Sequence, residues 1–238
     1  MPKGLSICIT VKNRSRGTCS RRPLQLFPRC MLSLVHACRI LQECGFVEIV
    51  STDWQSDDWP LMDWLPKLDS PVPIRVGNLC TGLSRGMGRN FAAQGATFDN
   101  LFFLDADMLV SDEALGISWF NARRGVATFP VVYGYTDQEH LHLVKFGPEA
   151  TGNCCVTRSM WEAVGGFPEK RVWGGEDVDF LHAIERRYPV ERPDAPGLIH
   201  QWHPDKWRSQ YDAEGESHAA PGHTLFWVTV RGQAGGVS

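Results

Sequence analysis

Apolar residues along the first half of the chain alternate between strand-like and helix-like patterns. The segment Leu5–Val11 is apolar and β-branched and is followed by polar residues, which indicates a buried strand that runs into a loop. A helix is predicted to begin at Pro28, and Gly45 stands where a glycine would end it. The apolar residues that recur at helical spacing between them are Met31, Val35, Cys38 and Leu41.

The same alternation continues to about residue 110. Phe46–Thr52 is predicted to be a second strand, Pro73–Val76 a shorter third, and the run LFFLDADM from Leu101 a fourth. Before the fourth strand, Ser84 can cap a helix that extends to about Ala96. Strands that alternate with helices favour a parallel sheet, so we predict an α/β fold in which helices flank a mostly parallel sheet.

Length and composition fit a single domain over residues 1–238. The chain is 43% hydrophobic, which is enough to bury one core. Its formal net charge is −3 and its basic residues are scattered, so we expect no nucleic acid as a partner. The N-terminal apolar run of about seven residues is too short for a signal peptide or a spanning helix. We therefore expect no transmembrane segment and a cytoplasmic protein.

Two carboxylates, Asp105 and Asp107, directly follow the fourth predicted strand. Ligands of open α/β sheets bind beyond the carboxyl ends of the strands, and Asp53 falls at such an end as well. One carboxylate of the pair can bind a divalent metal while the other holds a ligand hydroxyl. Oxygen ligands suit Mg²⁺ or Mn²⁺. Because D-x-D pairs are also common in turns that end strands, this one needs support from elsewhere in the chain.

A second acidic cluster opens a helix late in the chain. Glu176, Asp177 and Asp179 follow Gly174–Gly175, a pair that allows the backbone to approach a ligand closely. Acids in a first helical turn also interact favourably with the helix dipole, but simple capping explains one acid better than three. Trp173 offers a flat apolar surface of the kind on which sugar rings stack, although such a residue often serves packing.

Six segments taken together resemble the nucleotide-sugar-dependent glycosyltransferases of GT-A fold. They are ICITVKNRS, VSTDWQSDDWPL, GLSRGMGRNFAA, LFFLDADMLV, AVGGFPEKRVWGGEDVDF and IHQWHP. The N-terminal half is similar to family 2 enzymes, and the W-G-G-E-D segment to galactosyl- and N-acetylgalactosaminyltransferases and chondroitin-polymerase domains. The resemblance implies a Rossmann-like, GT-A-like single domain. Its nucleotide-binding half would span about 1–110, its acceptor half about 111–208 and its C-terminal tail 209–238.

The resemblance also implies roles for individual residues on the donor side. Asp53 would bind the uracil base, with Asp58 as a weaker candidate. Asp105 would hold the ribose, and Asp107 would bind the metal. The other nucleotide-sugar-binding residues that it implies are Thr10, Lys12, Arg14, Arg85 and Arg89.

On the acceptor side, the resemblance implies that Glu176 and Asp177 hold the acceptor hydroxyl and remove its proton. Asp177 is our candidate for the general base, and Glu176 is the next candidate. Trp173 and Gly175 would contact the acceptor. Retaining relatives that modify polypeptides carry Asn at the position of Asp177, so an Asp there favours an inverting reaction.

In such enzymes a metal-binding histidine follows this motif, which points to His200 or His203. We favour His200, because it follows a predicted strand end at Gly197–Ile199. Pro204 forces an extended backbone at His203, which favours a loop or a surface role. Both histidines could bind one metal only if the segment were helical, which Pro204 disfavours.

These features predict a metal-dependent glycosyltransferase of the hexosyltransferase type. It would use Mn²⁺ or Mg²⁺ and move a sugar from a nucleotide-sugar, a UDP-sugar, to a hydroxyl of a carbohydrate or another acceptor. One alternative is a glycoside hydrolase, which uses paired carboxylates without nucleotide or metal. Another is a non-catalytic carbohydrate-binding protein. The donor sugar, the acceptor and the oligomeric state stay open, and the segment LFWVTV (Leu225–Val230) is either an extra strand or an edge that faces a partner.

Overall fold

The chain folds into an α/β structure, and the computed structural model describes residues 2–79, 84–170, 174–194, 197–204 and 227–230. The strands are β1 (Gly4–Val11), β2 (Gly17–Cys19), β3 (Arg22–Leu24), β4 (Phe46–Asp53), β5 (Ile74–Asn78), β6 (Asn100–Asp105), β7 (Met108–Val110), β8 (Ala127–Thr128), β9 (Tyr133–Tyr135), β10 (Leu143–Lys145), β11 (Cys154–Thr157), β12 (Val190–Glu191), β13 (Leu198–His200) and β14 (Trp227–Val230). The helices are α1 (Leu26–Leu41), α2 (Leu61–Trp64), α3 (Arg85–Gly95), α4 (Asp112–Arg123), α5 (Arg158–Val164) and α6 (Glu176–Glu185), with a 3₁₀ turn at Leu65–Lys67.

The centre of the structure is an eight-stranded sheet of order β12-β8-β11-β6-β1-β4-β5-β14. β1 pairs in parallel with both β4 and β6, and β4 pairs in parallel with β5. β11 and β14 run antiparallel to their neighbours. A second sheet of order β10-β9-β13-β7 continues from β6 through β7. This arrangement confirms the predicted α/β class, a mostly parallel sheet flanked by helices.

Alternate side chains of the central strands face two separate apolar cores. In β6, Phe102 and Leu104 belong to the core that α1 and α4 cover. Leu101 and Phe103 belong to the core that α3, α5 and α6 cover. Side chains of a strand alternate between its two faces, so β6 is buried on both sides. This burial explains why its sequence is an uninterrupted apolar run that ends only at the acids.

The predicted elements match the observed ones with small shifts. α1 begins at Leu26 rather than at Pro28, because proline is tolerated in the first turn of a helix, where its missing N–H would have no helical partner. The predicted cap of α3 is confirmed, since the Ser84 hydroxyl accepts a hydrogen bond from the Met87 backbone N–H at 3.3 Å. Among the described residues, no helix combines the length and apolar character that crossing a bilayer requires.

Trp227–Val230, within the LFWVTV segment, form an additional strand of the central sheet. β14 pairs antiparallel with β5 at the sheet edge, and residues 225 and 226 lie outside the described part of the chain. The Trp227 ring packs against Gly77 and Gly95; an added Cβ would be in tight contact with it at Gly77 and would collide with it at Gly95. Arg75 also lies over this ring, 5.2 Å from its centroid. β14 therefore covers the edge of β5 that would otherwise end the sheet.

Candidate active site

A cavity of about 220 Å³ lies at the carboxyl edge of the parallel strands. The strand register places Thr10 of β1 beside Asp105 of β6, so the two strands reach this edge together. Most of the predicted donor, base and metal residues line the cavity, namely Thr10, Lys12, Arg14, Arg85, Asp105, Asp107, Asp177, His200 and His203. Residues that are far apart in the sequence thus meet in one place.

Asp107 faces two histidines across the cavity wall. Its Oδ2 lies 3.4 Å from the His203 Nε2 and 3.8 Å from the His200 Nε2. The three candidate ligand atoms lie within 4.8 Å of one another. One carboxylate and two imidazoles are therefore close enough to share a single ion.

Both histidines reach Asp107 although residues 200–204 are not helical. This corrects our expectation that only a helical segment could bring both histidines to one metal. His200 ends β13, and the next residue, Gln201, donates its backbone N–H to the Asp107 carbonyl at 2.9 Å. The Gln201 side chain donates to the Leu26 carbonyl, also at 2.9 Å. These bonds hold a non-helical bend that turns His203 inwards. His203 lies in a loop, as expected, but not at the surface, because its side chain is 4% exposed, against 21% for His200.

The chemistry of this donor set fits a divalent transition-metal ion. Carboxylate oxygen suits Mn²⁺ and Mg²⁺, whereas imidazole nitrogen suits transition-metal ions, so this mixed set favours a transition-metal ion over Mg²⁺. Burial tends to raise the pKa of Asp107, but His200, His203 and Arg14 outweigh burial and hold the pKa well below its ordinary value. The carboxylate is therefore ionised, as a metal ligand must be.

Asp105 is held on several sides. Its Oδ1 accepts hydrogen bonds from Arg89 at 2.7 Å and from Arg85 at 3.0 Å. Its backbone N–H donates to the Asn153 side chain at 2.9 Å. A Cβ added at Gly152 would lie 2.6 Å from Asp105 Oδ2, so a larger residue there would displace the carboxylate. The carboxylate of Asp105 is consequently fixed in one orientation.

The two acids at the start of α6 have different surroundings. Glu176 is buried and its Oε1 accepts a hydrogen bond from Arg89 at 3.0 Å. Asp177 lines the cavity, and its Oδ2 accepts a hydrogen bond from the Thr151 hydroxyl at 2.9 Å. Gly175 occupies the N-cap position with a φ of 81°, and no side chain caps the helix. Neither acid therefore caps the helix through a side-chain hydrogen bond.

Several predicted binding residues lie away from the cavity lining. Asp53 is buried, and its Oδ1 accepts a hydrogen bond from the Ser56 backbone N–H at 3.0 Å. Burial raises the pKa of Asp53, against the Ser56 hydrogen bonds that lower it. Asp58 accepts a hydrogen bond from the Arg16 backbone N–H at 2.7 Å. Both acids thus organise the loop after β4, and their contact with a base stays a prediction. Trp173 lies outside the described residues.

Sequence reasoning missed Trp54, Phe146, Gly152 and Asn153, all of which line the cavity. The Trp54 indole N–H donates to the Thr10 hydroxyl at 2.9 Å. Gly152 and Asn153 precede β11, which runs antiparallel to β6, so the start of β11 lies beside the end of β6. The polar T-G-N run before β11 is a weak signal of a binding site. It lies at the cavity only because β11 is antiparallel to β6, and this direction is not visible in the sequence.

Comparisons with known proteins establish the fold. No family model and no curated protein sequence matches the chain. The crystal structure of S. aureus TarS 1-349 is similar, with 15% identity over 83% of this chain and 60% of that one and a TM-score of 0.63. The complex of this fragment with UDP-GlcNAc has 15% identity over 84% of this chain and 59% of that one, with a TM-score of 0.63. Its complex with UDP has 15% identity over 85% of this chain and 62% of that one, with a TM-score of 0.61.

The present chain thus spans about 60% of the length of that TarS fragment. TarS has the GT-A fold, and the similarity shows that this chain has it too. The predicted GT-A-like fold is confirmed.

Proposed function

We propose that the chain is a metal-dependent glycosyltransferase that moves a hexosyl group from a UDP-sugar to an acceptor hydroxyl. The observation that carries the proposal is the convergence of Asp107, His200 and His203 in one cavity with Asp105 and Asp177. This cavity lies at the carboxyl edge of the sheet, where ligands of open α/β sheets bind. The UDP and UDP-GlcNAc complexes of TarS support a uridine nucleotide as the donor.

The charges around the cavity suit a nucleoside diphosphate. Lys12, Arg14 and Arg85 all line it and supply positive charge for an anionic ligand. Asp107, His200 and His203 would hold Mn²⁺, with both imidazoles neutral. When bound, the ion would stabilise the negative charge that develops on the departing diphosphate.

Asp177 is the group that would accept the proton of the acceptor hydroxyl. It faces the cavity, and the hydrogen bond from Thr151 fixes one of its oxygens at 2.9 Å. As the acceptor oxygen bonds to the anomeric carbon, the bond from that carbon to the phosphate oxygen breaks, and its electron pair leaves with the nucleoside diphosphate. The proton passes to Asp177. A single displacement of this kind inverts the anomeric carbon.

The experiment is to incubate the chain with Mn²⁺, a set of UDP-sugars and a set of glycoside acceptors, and to measure UDP release and the glycoside product. We expect transfer only with a nucleotide-sugar, and a product of inverted configuration. Cleavage of glycosides without any nucleotide would instead identify a glycoside hydrolase. The Asp177→Asn variant is the matched control, because it keeps the shape of the side chain but removes the base.

A further inference from the structure

A buried guanidinium connects the end of β6 to the start of α6. Arg89 of α3 is 1% exposed, and its contact with Glu176 is shielded from water, whereas the Asp105 side chain is 20% exposed. Its Nη2 lies 2.7 Å from Asp105 Oδ1, and its Nη1 lies 3.0 Å from Glu176 Oε1. Charge-assisted hydrogen bonds of this length are strong and directional. A single side chain thus sets the position of both carboxylates.

Arg85 completes the same group of charges. Its Nη2 lies 3.0 Å from Asp105 Oδ1, and its Nε lies 3.5 Å from Glu176 Oε1. Two carboxylates and two guanidinium groups therefore alternate, and the cluster has no net charge. Removing one carboxylate would leave two guanidinium groups sharing the other, with an unbalanced positive charge, which favours rearrangement of the remaining three groups.

The surroundings of Glu176 do not suit an acceptor ligand. It is 2% exposed, and its Oε1 is shared between Arg89 and Arg85. Among the described residues that line the cavity, Asp177 is present and Glu176 is not. A group that binds the acceptor or takes its proton must come within hydrogen-bond reach of it. Of the two neighbouring acids, only Asp177 meets this requirement.

We propose that Glu176 is a positioning residue for the donor, which acts through Arg89 to hold Asp105 in the orientation that binds the nucleotide. Glu176 then makes no contact with the acceptor. The proposal rests on the proposed function, because it assigns Asp105 to the donor. Its physical basis is that contacts with both carboxylates hold Arg89 in position, and Arg89 in turn holds Asp105 in position.

The test is calorimetric titration of UDP, with Mn²⁺ present, into wild type and Glu176→Gln. We expect UDP affinity to fall by about tenfold in the variant. A simple charge effect has the opposite sign, because losing a carboxylate near an anionic ligand should strengthen binding. The Asp179→Asn variant is the matched control, since Asp179 lies in the same helical turn but is exposed and pairs with Lys170 at 2.5 Å.

A double variant shows whether Glu176 acts through Asp105. We expect Glu176→Gln to cause no further loss of UDP affinity when Asp105→Asn is already present. If Glu176→Gln does not fold, Glu176→Asp is titrated in its place, and we expect its affinity to lie between those of wild type and Asp105→Asn.

The outcomes separate this proposal from the proposed function. No UDP binding by the folded wild type would overturn the proposed function and the inference with it. Unchanged or stronger UDP binding in Glu176→Gln, with a raised KM for the acceptor, would overturn the inference alone and make Glu176 an acceptor ligand. Weaker UDP binding with an unchanged acceptor KM would support the inference.

Discussion

The imidazole of His203 lies 3.4 Å from the carboxylate of Asp107, closer than that of His200, although Pro204 directly follows it. The bend that brings it there is held by hydrogen bonds of Gln201 to the carbonyls of Asp107 and Leu26. The metal site that we propose therefore has two histidine ligands where the sequence suggested one.

The first prediction concerns these two histidines. His200→Ala and His203→Ala should each weaken Mn²⁺ binding by at least about tenfold, because each removes a ligand. Titration of Mn²⁺ in the presence of UDP measures the effect. His36→Ala is the control, since His36 is exposed on α1. Loss of Mn²⁺ affinity in only one of the two variants would reduce the site to one histidine.

The second prediction concerns the general base. Asp177→Asn should lower kcat by roughly 10²-fold or more while UDP affinity stays near that of wild type. Steady-state rates and calorimetry separate the two effects. Asp179→Asn serves as the control, because it alters an exposed acid in the same turn. Near-normal turnover by Asp177→Asn would move the proton acceptor to another group.

The third prediction concerns the close approach of Gly152 to Asp105. In Gly152→Ala the new Cβ would lie 2.6 Å from Asp105 Oδ2, so the carboxylate must move. We expect UDP affinity to fall by about tenfold, the cost of a displaced charge-assisted contact. Gly116→Ala is the control, because the nearest atom to its Cβ is in Leu41 at 3.6 Å, an ordinary contact. Equal UDP affinities would show that the position of Asp105 is unimportant.

The fourth prediction concerns the core under α6. Phe180 is fully buried and stacks on Phe167 with ring centroids 3.9 Å apart. Phe180→Ala should lower the free energy of unfolding by about 3–5 kcal/mol, because it leaves a cavity in the core. Urea denaturation measures this, with Phe120→Ala as the control, since Phe120 is 59% exposed. A change below about 1 kcal/mol in Phe180→Ala would contradict the packing described.

Much of the fold could be predicted because the central strands are buried on both faces. β6 contains an uninterrupted apolar run that ends at Asp105, and β1 and β4 are mostly apolar and β-branched with a few buried polar residues. Their common direction follows from the helices between them. Asp105 and Asp107 could therefore be placed from the pattern alone.

The remainder depends on contacts between distant segments. The roles of Gly152 and Asn153 follow from the antiparallel pairing of β11 with β6, which no local pattern encodes. The inward position of His203 accompanies a hydrogen bond from Gln201 to Asp107, a contact between distant segments that no local pattern encodes. Adjacent acids in one helical turn also look alike in sequence, and only the structure separates buried Glu176 from Asp177.

The central claim is that the cavity binds a nucleoside diphosphate together with a divalent metal. The most direct test is calorimetric titration of UDP into the wild-type chain, once with Mn²⁺ and once with EDTA. Asp107 lies in the same cavity and would repel the diphosphate unless a cation lies between them. We predict UDP affinity at least about tenfold weaker in EDTA. Equal affinities in the two titrations would contradict the claim.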